Sequence, residues 1–158
     1  MARRASHISD SGDARMVDVG EKNVTERVAS ARTIVSVKPE TLASIRANLI
    51  KKGDVVGVAR LAGLMAAKRT SELIPLCHQI PLTSLDVDID VSGEEIVITA
   101  TARTQWRTGV EMEALTAVSV SALTMYDMCK SIDRDMSIKE TVLLSKSGGR
   151  SGEWRRNE

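Results

Sequence analysis

Strand, helices, strand, strand, helix, strand: that order, legible along the sequence, predicts an α+β domain whose antiparallel sheet is covered on one face by helices. Three observations carry the prediction. An alternating, β-branched stretch precedes two segments of helical spacing; two alternating stretches flank a four-residue turn; and a long, helically periodic stretch runs into a final alternating one. With the two helices after the first strand counted as one elaborated crossover, the order is β, α, β, β, α, β. This is the split βαβ, or ferredoxin-like, arrangement with an extra helix in its first crossover.

Each element has a local reason. "ARTIVSVK" (31 to 38) alternates and is rich in β-branched residues, which predicts a strand. Pro39 suits a first helical turn, and "ETLASIRANLIKK" (40 to 52) spaces Leu42, Ile45, Leu49 and Ile50 along one helical face. Gly53 ends that helix and Asp54 caps the next, "VVGVARLAGLMAAKR" (55 to 69). This second helix is apolar almost all round, so it is expected to be buried, with Gly57 and Gly63 admitting a close neighbour. "SLDVDIDV" (84 to 91) alternates aspartates with aliphatics, "SGEE" turns the chain, and "IVITATAR" (96 to 103) returns, a hairpin. "GVEMEALTAVSVSALTMYDMCKSI" (109 to 132) supports a long helix, and "SIKETVLLSK" (137 to 146) a last strand with Ile138, Val142 and Leu144 alternating.

Composition bounds what such a domain serves. The chain has 158 residues, 42% apolar and 27% charged, with a formal net charge of +1. That suits one domain with no overall field drawing it to nucleic acid or membrane. Aromatics are 2%, with no Phe, so the strands offer no stacking platform for RNA bases. Cys77 and Cys129 fit no CxxC spacing and, with no secretory signal legible, read as reduced thiols of a cytoplasmic protein. No apolar run approaches the ~20 residues of a membrane span. Residues 1–15 and 153–158 read as flexible polar tails on a single domain at 16–152.

Four clusters hold candidate chemistry. In "IPLCHQIPL" (74 to 82), His78 suits proton transfer, or it is a half-buried histidine satisfied by backbone; the residues alone leave both readings open. Cys77 is a weak candidate nucleophile, because adjacent side chains on extended chain point opposite ways, and no ligands show metal spacing. In "GVEME", Glu111 and Glu113 suit orienting an amine-bearing ring or acting as base, but acidic residues in a first helical turn also simply complement its dipole. In "YDMCK", Asp127 and Lys130 share a helical face. Buried, that pair would have a lysine pKa shifted toward neutrality; exposed, it is a solvated salt bridge. "KSGGRSG" (146 to 152) offers adjacent glycines with Lys146 and Arg150, a cradle for an oxyanion or phosphate, or else a basic tail.

Helix length adds a constraint. On one continuous helix, Glu113 and Asp127 stand roughly 21 Å apart, too far for one small substrate to touch both within a chain. If both serve one site, a second subunit completes it. The small residues Ala114, Ala117, Ser121 and Ala122 are expected to receive that subunit in a symmetric oligomer.

Taken together, "MVDVGEKNVTER", "GDVVGVARLAGLMAAKRTSELIPLCH", "RTGVEMEALTAVSVSALTMYDMCK" and "KSGGRSG" resemble the molybdenum cofactor biosynthesis protein C family, the cyclic pyranopterin monophosphate synthases. The likeness runs from about Met16 to Gly152, nearly the whole domain. It implies a ferredoxin-like fold, a homohexamer built as a trimer of dimers with its site at a dimer interface, and a place after the radical GTP cyclase that makes the substrate. That substrate is a 3′,8-cyclised dihydroguanosine triphosphate, and the products are cyclic pyranopterin monophosphate and pyrophosphate. No cofactor is implied, although Mg²⁺ can accompany the triphosphate. Position by position, the resemblance makes Asp127, Lys130 and Lys52 catalytic. It makes Leu76, Cys77, His78, Met112 and Glu113 substrate-binding, with Lys146, Arg27 and the nearby Glu111 as further site residues. Gly20, Gln79 and Arg150 depart from the family's usual residues and remove none of these groups.

Overall fold

In the computed structural model, which describes residues 12–157, the expected order is present. The elements are β1 (Thr25–Ser36), α1 (Pro39–Arg46), α2 (Val55–Ala67), α3 (Thr70–Leu73), β2 (Ser84–Asp90), β3 (Ile96–Trp106), α4 (Glu111–Cys129), β4 (Ser137–Ser147) and β5 (Trp154–Arg155). The sheet is antiparallel in the order β2-β3-β1-β4-β5. Its first four strands have the ferredoxin-like arrangement, and α4 packs across β1, β3 and β4 while α2 lies beside it against β2. Alternate residues Ala29, Ala31, Thr33 and Val35 of β1 and Ile96, Ile98, Ala100 and Ala102 of β3 face these helices and are buried.

Several boundaries differ from expectation, each for a local reason. The first strand begins at Thr25, six residues early, because the helix-facing position at its start is Arg27 rather than an aliphatic. Helix α1 stops at Arg46 instead of running to Lys52. Asn48 adopts φ 53, and the amides of Asn48 and Leu49 bond back to the carbonyls of Ile45 and Ser44. That is a Schellman end, with Asn in the left-handed position it tolerates better than most residues. Leu49 is consequently exposed while Ile50 still reaches the core. Of the C-terminal stretch expected as a tail from 153, Trp154 and Arg155 instead pair with Lys146 and Ser145, and the Arg156 amide donates to the Leu144 carbonyl at 2.8 Å. Residues 1–11 of the expected N-terminal tail lie outside the described residues.

The second helix is less buried than its composition suggests. Asp54 caps it through the Gly57 amide at 2.9 Å, but Val58, Leu61 and Met65 are exposed on one stripe. The close neighbour is α4, and it comes at Gly63. A Cβ there would lie 2.2 Å from Ser121 Oγ and 2.9 Å from the Ala117 carbonyl oxygen. This corrects one expectation: the small-residue face of α4 receives α2 of the same chain, and Ala114, Ala117, Ser121 and Ala122 are fully buried by it and the sheet.

Strand β4 carries two register shifts against β1. Ile138 pairs with Val35, Thr141 with Thr33, Leu143 with Ala31 and Lys146 with Ala29, so these are its helix-facing residues. The regular alternation expected for Ile138, Val142 and Leu144 is therefore broken. Leu143, not Val142 or Leu144, packs on the core.

Candidate functional site

The end of the sheet where β1 starts and β3 and β4 finish lies at the N-terminus of α4. A cavity of about 630 Å³ opens there. Lys146 and Arg27 both sit on the helix-facing side of their strands, and Lys146 Nζ donates to Glu111 Oε1 at 2.8 Å. Past β4 the chain turns through Gly148 (φ +98) and Gly149 (φ +68). Glycine is needed most strictly at the first, where a Cβ would lie 2.0 Å from the Glu26 carbonyl oxygen; one on Gly149 would lie 1.7 Å from Arg27 Nη1, the end of a flexible side chain. The Arg27 guanidinium is laid on this glycine backbone, and Lys146 and Arg150 line the same cavity. Helix α4 begins at Val110 without a side-chain cap, so its first amides add partial positive charge to this end.

Two residues into α4, Glu113 is 3% exposed and its Oε2 has no hydrogen-bond partner. Burial, with Glu111 as a like charge nearby, pushes its carboxyl up to about 7. Cys77 lies within its field: burial and then Glu113 raise the thiol's pKa, which makes it a poor nucleophile at neutral pH. His78 points elsewhere, as adjacent side chains on extended chain should. Its Nε2 donates to the Val17 carbonyl at 2.8 Å, the backbone-satisfied arrangement rather than a ring turned to open solvent. Leu76 occupies the turn before them, closed by the Cys77 amide on Ile74 at 3.1 Å, and Met112 is half-buried in the first turn of α4.

At the other end of the same helix, three more of the expected residues meet. Asp127 Oδ1 accepts from Lys130 Nζ at 2.7 Å. Its Oδ2 accepts from Lys52 Nζ at 3.0 Å, and its backbone carbonyl from the same ammonium at 2.7 Å. Lys52 is brought there by the loop that the early end of α1 leaves free. The hydrogen bonds from Lys130 and then Lys52 hold the Asp127 carboxyl below its ordinary range, and Asp127 raises Lys130. The expectation that burial would lower the lysine's pKa fails because this trio is half-exposed. As it stands, it is an ionised carboxylate between two ammonium groups.

The structure therefore gathers the expected residues into two groups at opposite ends of α4, and one chain does not join them. Sequence reading missed Arg107 and Lys22, which share the cavity with Arg27 and Lys146. The signal for Arg107 was a basic residue at a strand end just before Gly109. Among the described residues no group of three or more His, Cys, Asp or Glu could hold a metal ion, and no helix is long and apolar enough to cross a membrane.

Comparison with known proteins bears on this geometry. A model of the MoaC family matches residues 16–149. A cyclic pyranopterin monophosphate synthase of Brevibacillus brevis is 55% identical over 159 residues, spanning 100% of this chain and 99% of that protein. One from Thermomicrobium roseum is 56% identical over 155 residues, 97% of this chain and 93% of that protein. One from Peptoclostridium acidaminophilum is 51% identical over 151 residues, 96% of each.

Proposed function

This chain belongs to the MoaC family, and from that premise we propose that it is a cyclic pyranopterin monophosphate synthase in molybdenum cofactor biosynthesis. It converts 3′,8-cyclised dihydroguanosine triphosphate to cyclic pyranopterin monophosphate and pyrophosphate. The observation that carries the chemistry is the Asp127 carboxylate gripping Lys52 and Lys130 at 3.0 and 2.7 Å. Rebuilding a purine as a pterin moves protons on and off ring nitrogens and sugar carbons without net redox change, which general acids and bases supply. Lys130 and Lys52 carry the proton transfers, and Asp127 holds both in place. Closing the cyclic diester forms one bond from a sugar oxygen to the inner phosphorus and breaks its bond to the outgoing pyrophosphate. Arg27 and Lys146 hold the triphosphate in the cradle, and Glu113 holds the guanine-derived ring beside Leu76, Cys77 and Met112.

A second copy of the chain brings the two ends of α4 together, because within one chain Glu113 and Asp127 are separated by about 21 Å of helix. The exposed stripe Val58, Leu61 and Met65, with Leu123 of α4, supports burial against such a copy, and a hexamer built as a trimer of dimers is the assembly we assign. The reading requires no resident cofactor; Mg²⁺ enters, if at all, with the triphosphate. The upstream partner is a radical GTP cyclase, and the compartment is the cytoplasm.

The test mixes the purified protein with the cyclised intermediate and follows pyrophosphate alongside the oxidised pterin product. Equal release of both is expected. Substrate that binds and returns unchanged would make the chain a ligand-binding module instead.

A further inference from the structure

One wall of the cavity is chain with neither helix nor strand. Between Arg15 and Val24, residues Val17, Val19 and Lys22 are half-buried and the rest are exposed. The segment's internal bonds are short-range: the Gly20 amide donates to Asp18 Oδ1 at 2.8 Å and the Lys22 amide to the Val19 carbonyl at 3.1 Å. Two side chains from the folded body reach out to it. His78 Nε2 donates to the Val17 carbonyl at 2.8 Å and Arg107 Nη1 to the Gly20 carbonyl at 2.7 Å. Between and beyond those anchors, Glu21, Lys22 and Asn23 line the same cavity as Arg27, Lys146 and Arg107 itself.

Arg107 is thus placed to serve two sides at once. A guanidinium has five N–H donors in a fixed fork, and one nitrogen is engaged on Gly20 while the side chain borders a basic cavity. An anion in that cavity draws on the remaining donors, fixes the guanidinium, and so fixes the carbonyl it holds. A segment with this little buried surface opens cheaply when nothing fixes it.

We propose that residues 17–23 are a strap that closes over the phosphate-bearing substrate, and that Arg107 is its latch, joining the bound anion to the Gly20 carbonyl, with His78 as the second anchor. His78 then works through the strap as a positioning residue. The identity of the substrate rests on the synthase reading; the latch needs only a polyphosphate.

The experiment is hydrogen–deuterium exchange of the peptide covering residues 17–23 in the full-length protein. It is run alone, with inorganic tripolyphosphate, and with sodium chloride at matched ionic strength. Tripolyphosphate should slow exchange of this peptide about tenfold, and chloride should not. In Arg107→Ala the protection should vanish. That variant's KM for the cyclised substrate should rise about tenfold, the scale of one lost charge-assisted hydrogen bond, with kcat much less affected. Arg107→Lys, which keeps a charge and a donor, should restore part of both. The latch is overturned if tripolyphosphate leaves exchange at 17–23 unchanged, if chloride protects equally, or if Arg107→Ala behaves as wild type. Because exchange needs no turnover, failure to form product would count against the synthase reading without touching this result.

Discussion

Replacing Glu113 by Gln should make the protein's stability less dependent on pH, and the size of the effect follows from one buried carboxyl. In the unfolded chain this group ionises near 4.5, and in the folded protein its pKa is pushed up to about 7 by burial and then by Glu111. Below 4.5 both states keep the proton. As pH rises past that point the unfolded chain releases it first, so unfolding becomes progressively easier until the folded carboxyl also ionises, and the loss is complete by about pH 8. At 1.36 kcal/mol per pH unit this amounts to about 3 kcal/mol. Gln has nearly the same shape and cannot ionise. Urea unfolding of both proteins from pH 4 to pH 8, at one fixed protein concentration, should show wild type losing about that much relative to Glu113→Gln. Parallel stability curves across that range would refute the claim that burial keeps the Glu113 carboxyl from ionising.

The trio at the far end of α4 makes the opposite prediction: Lys130→Ala should lower kcat by about 10²–10⁴-fold while leaving the unfolding midpoint in place, since the pair is exposed; wild-type turnover would remove Lys130 from the mechanism. Gly63→Ala should cost about 1–3 kcal/mol in denaturant titrations, because its Cβ meets Ser121 Oγ and the Ala117 carbonyl. Adding Ser121→Ala should recover part of that loss. Gly149→Ala should weaken tripolyphosphate binding about tenfold by calorimetry, since the new methyl displaces Arg27 from the cradle. Light scattering should give a mass several times that of the monomer; a value near 17.1 kDa would leave the two ends of α4 unconnected.

Elements whose apolar residues repeat with one clear period were legible in the sequence. The hairpin and α4 fall within a few residues of expectation because Val87, Ile89, Ile96 and Ile98 alternate cleanly and Leu115, Val118, Ala122 and Met125 recur at helical spacing. Where a functional or conformational residue interrupts the period, the sequence misleads. Arg27 hid the first half of β1, Asn48 cut α1 short, and β5 has no pattern of its own because it borrows order from β4. Composition made α2 look buried, yet whether Leu61 faces protein or solvent depends on which elements lie alongside, and periodicity does not encode that. The site residues came from motif order, which resemblance turned into roles. Their partition between two ends of one helix followed from helical rise alone. The contacts of His78 and Arg107 with Val17 and Gly20 join positions far apart in sequence, and no local pattern announces them.

The two irregularities in β4 each put one extra residue into that strand, so the second restores the parity that the first lost. From Ile138 the strand falls out of step with its helix-facing side, presents Thr141 and Leu143 inward on the wrong parity, and comes back into step at Lys146. The cation that meets Glu111 therefore owes its side of the sheet to its pairing with Ala29, across an irregularity that absorbs the odd residue. Leu144 is that residue: it has no partner on β1, and deleting it would set Leu143, Ser145 and Lys146 opposite Ala31, Ser30 and Ala29 in unbroken alternation. The lysine would keep its place on the cavity side, so a one-residue loss at this point is taken up by the strand and not passed on to the charge.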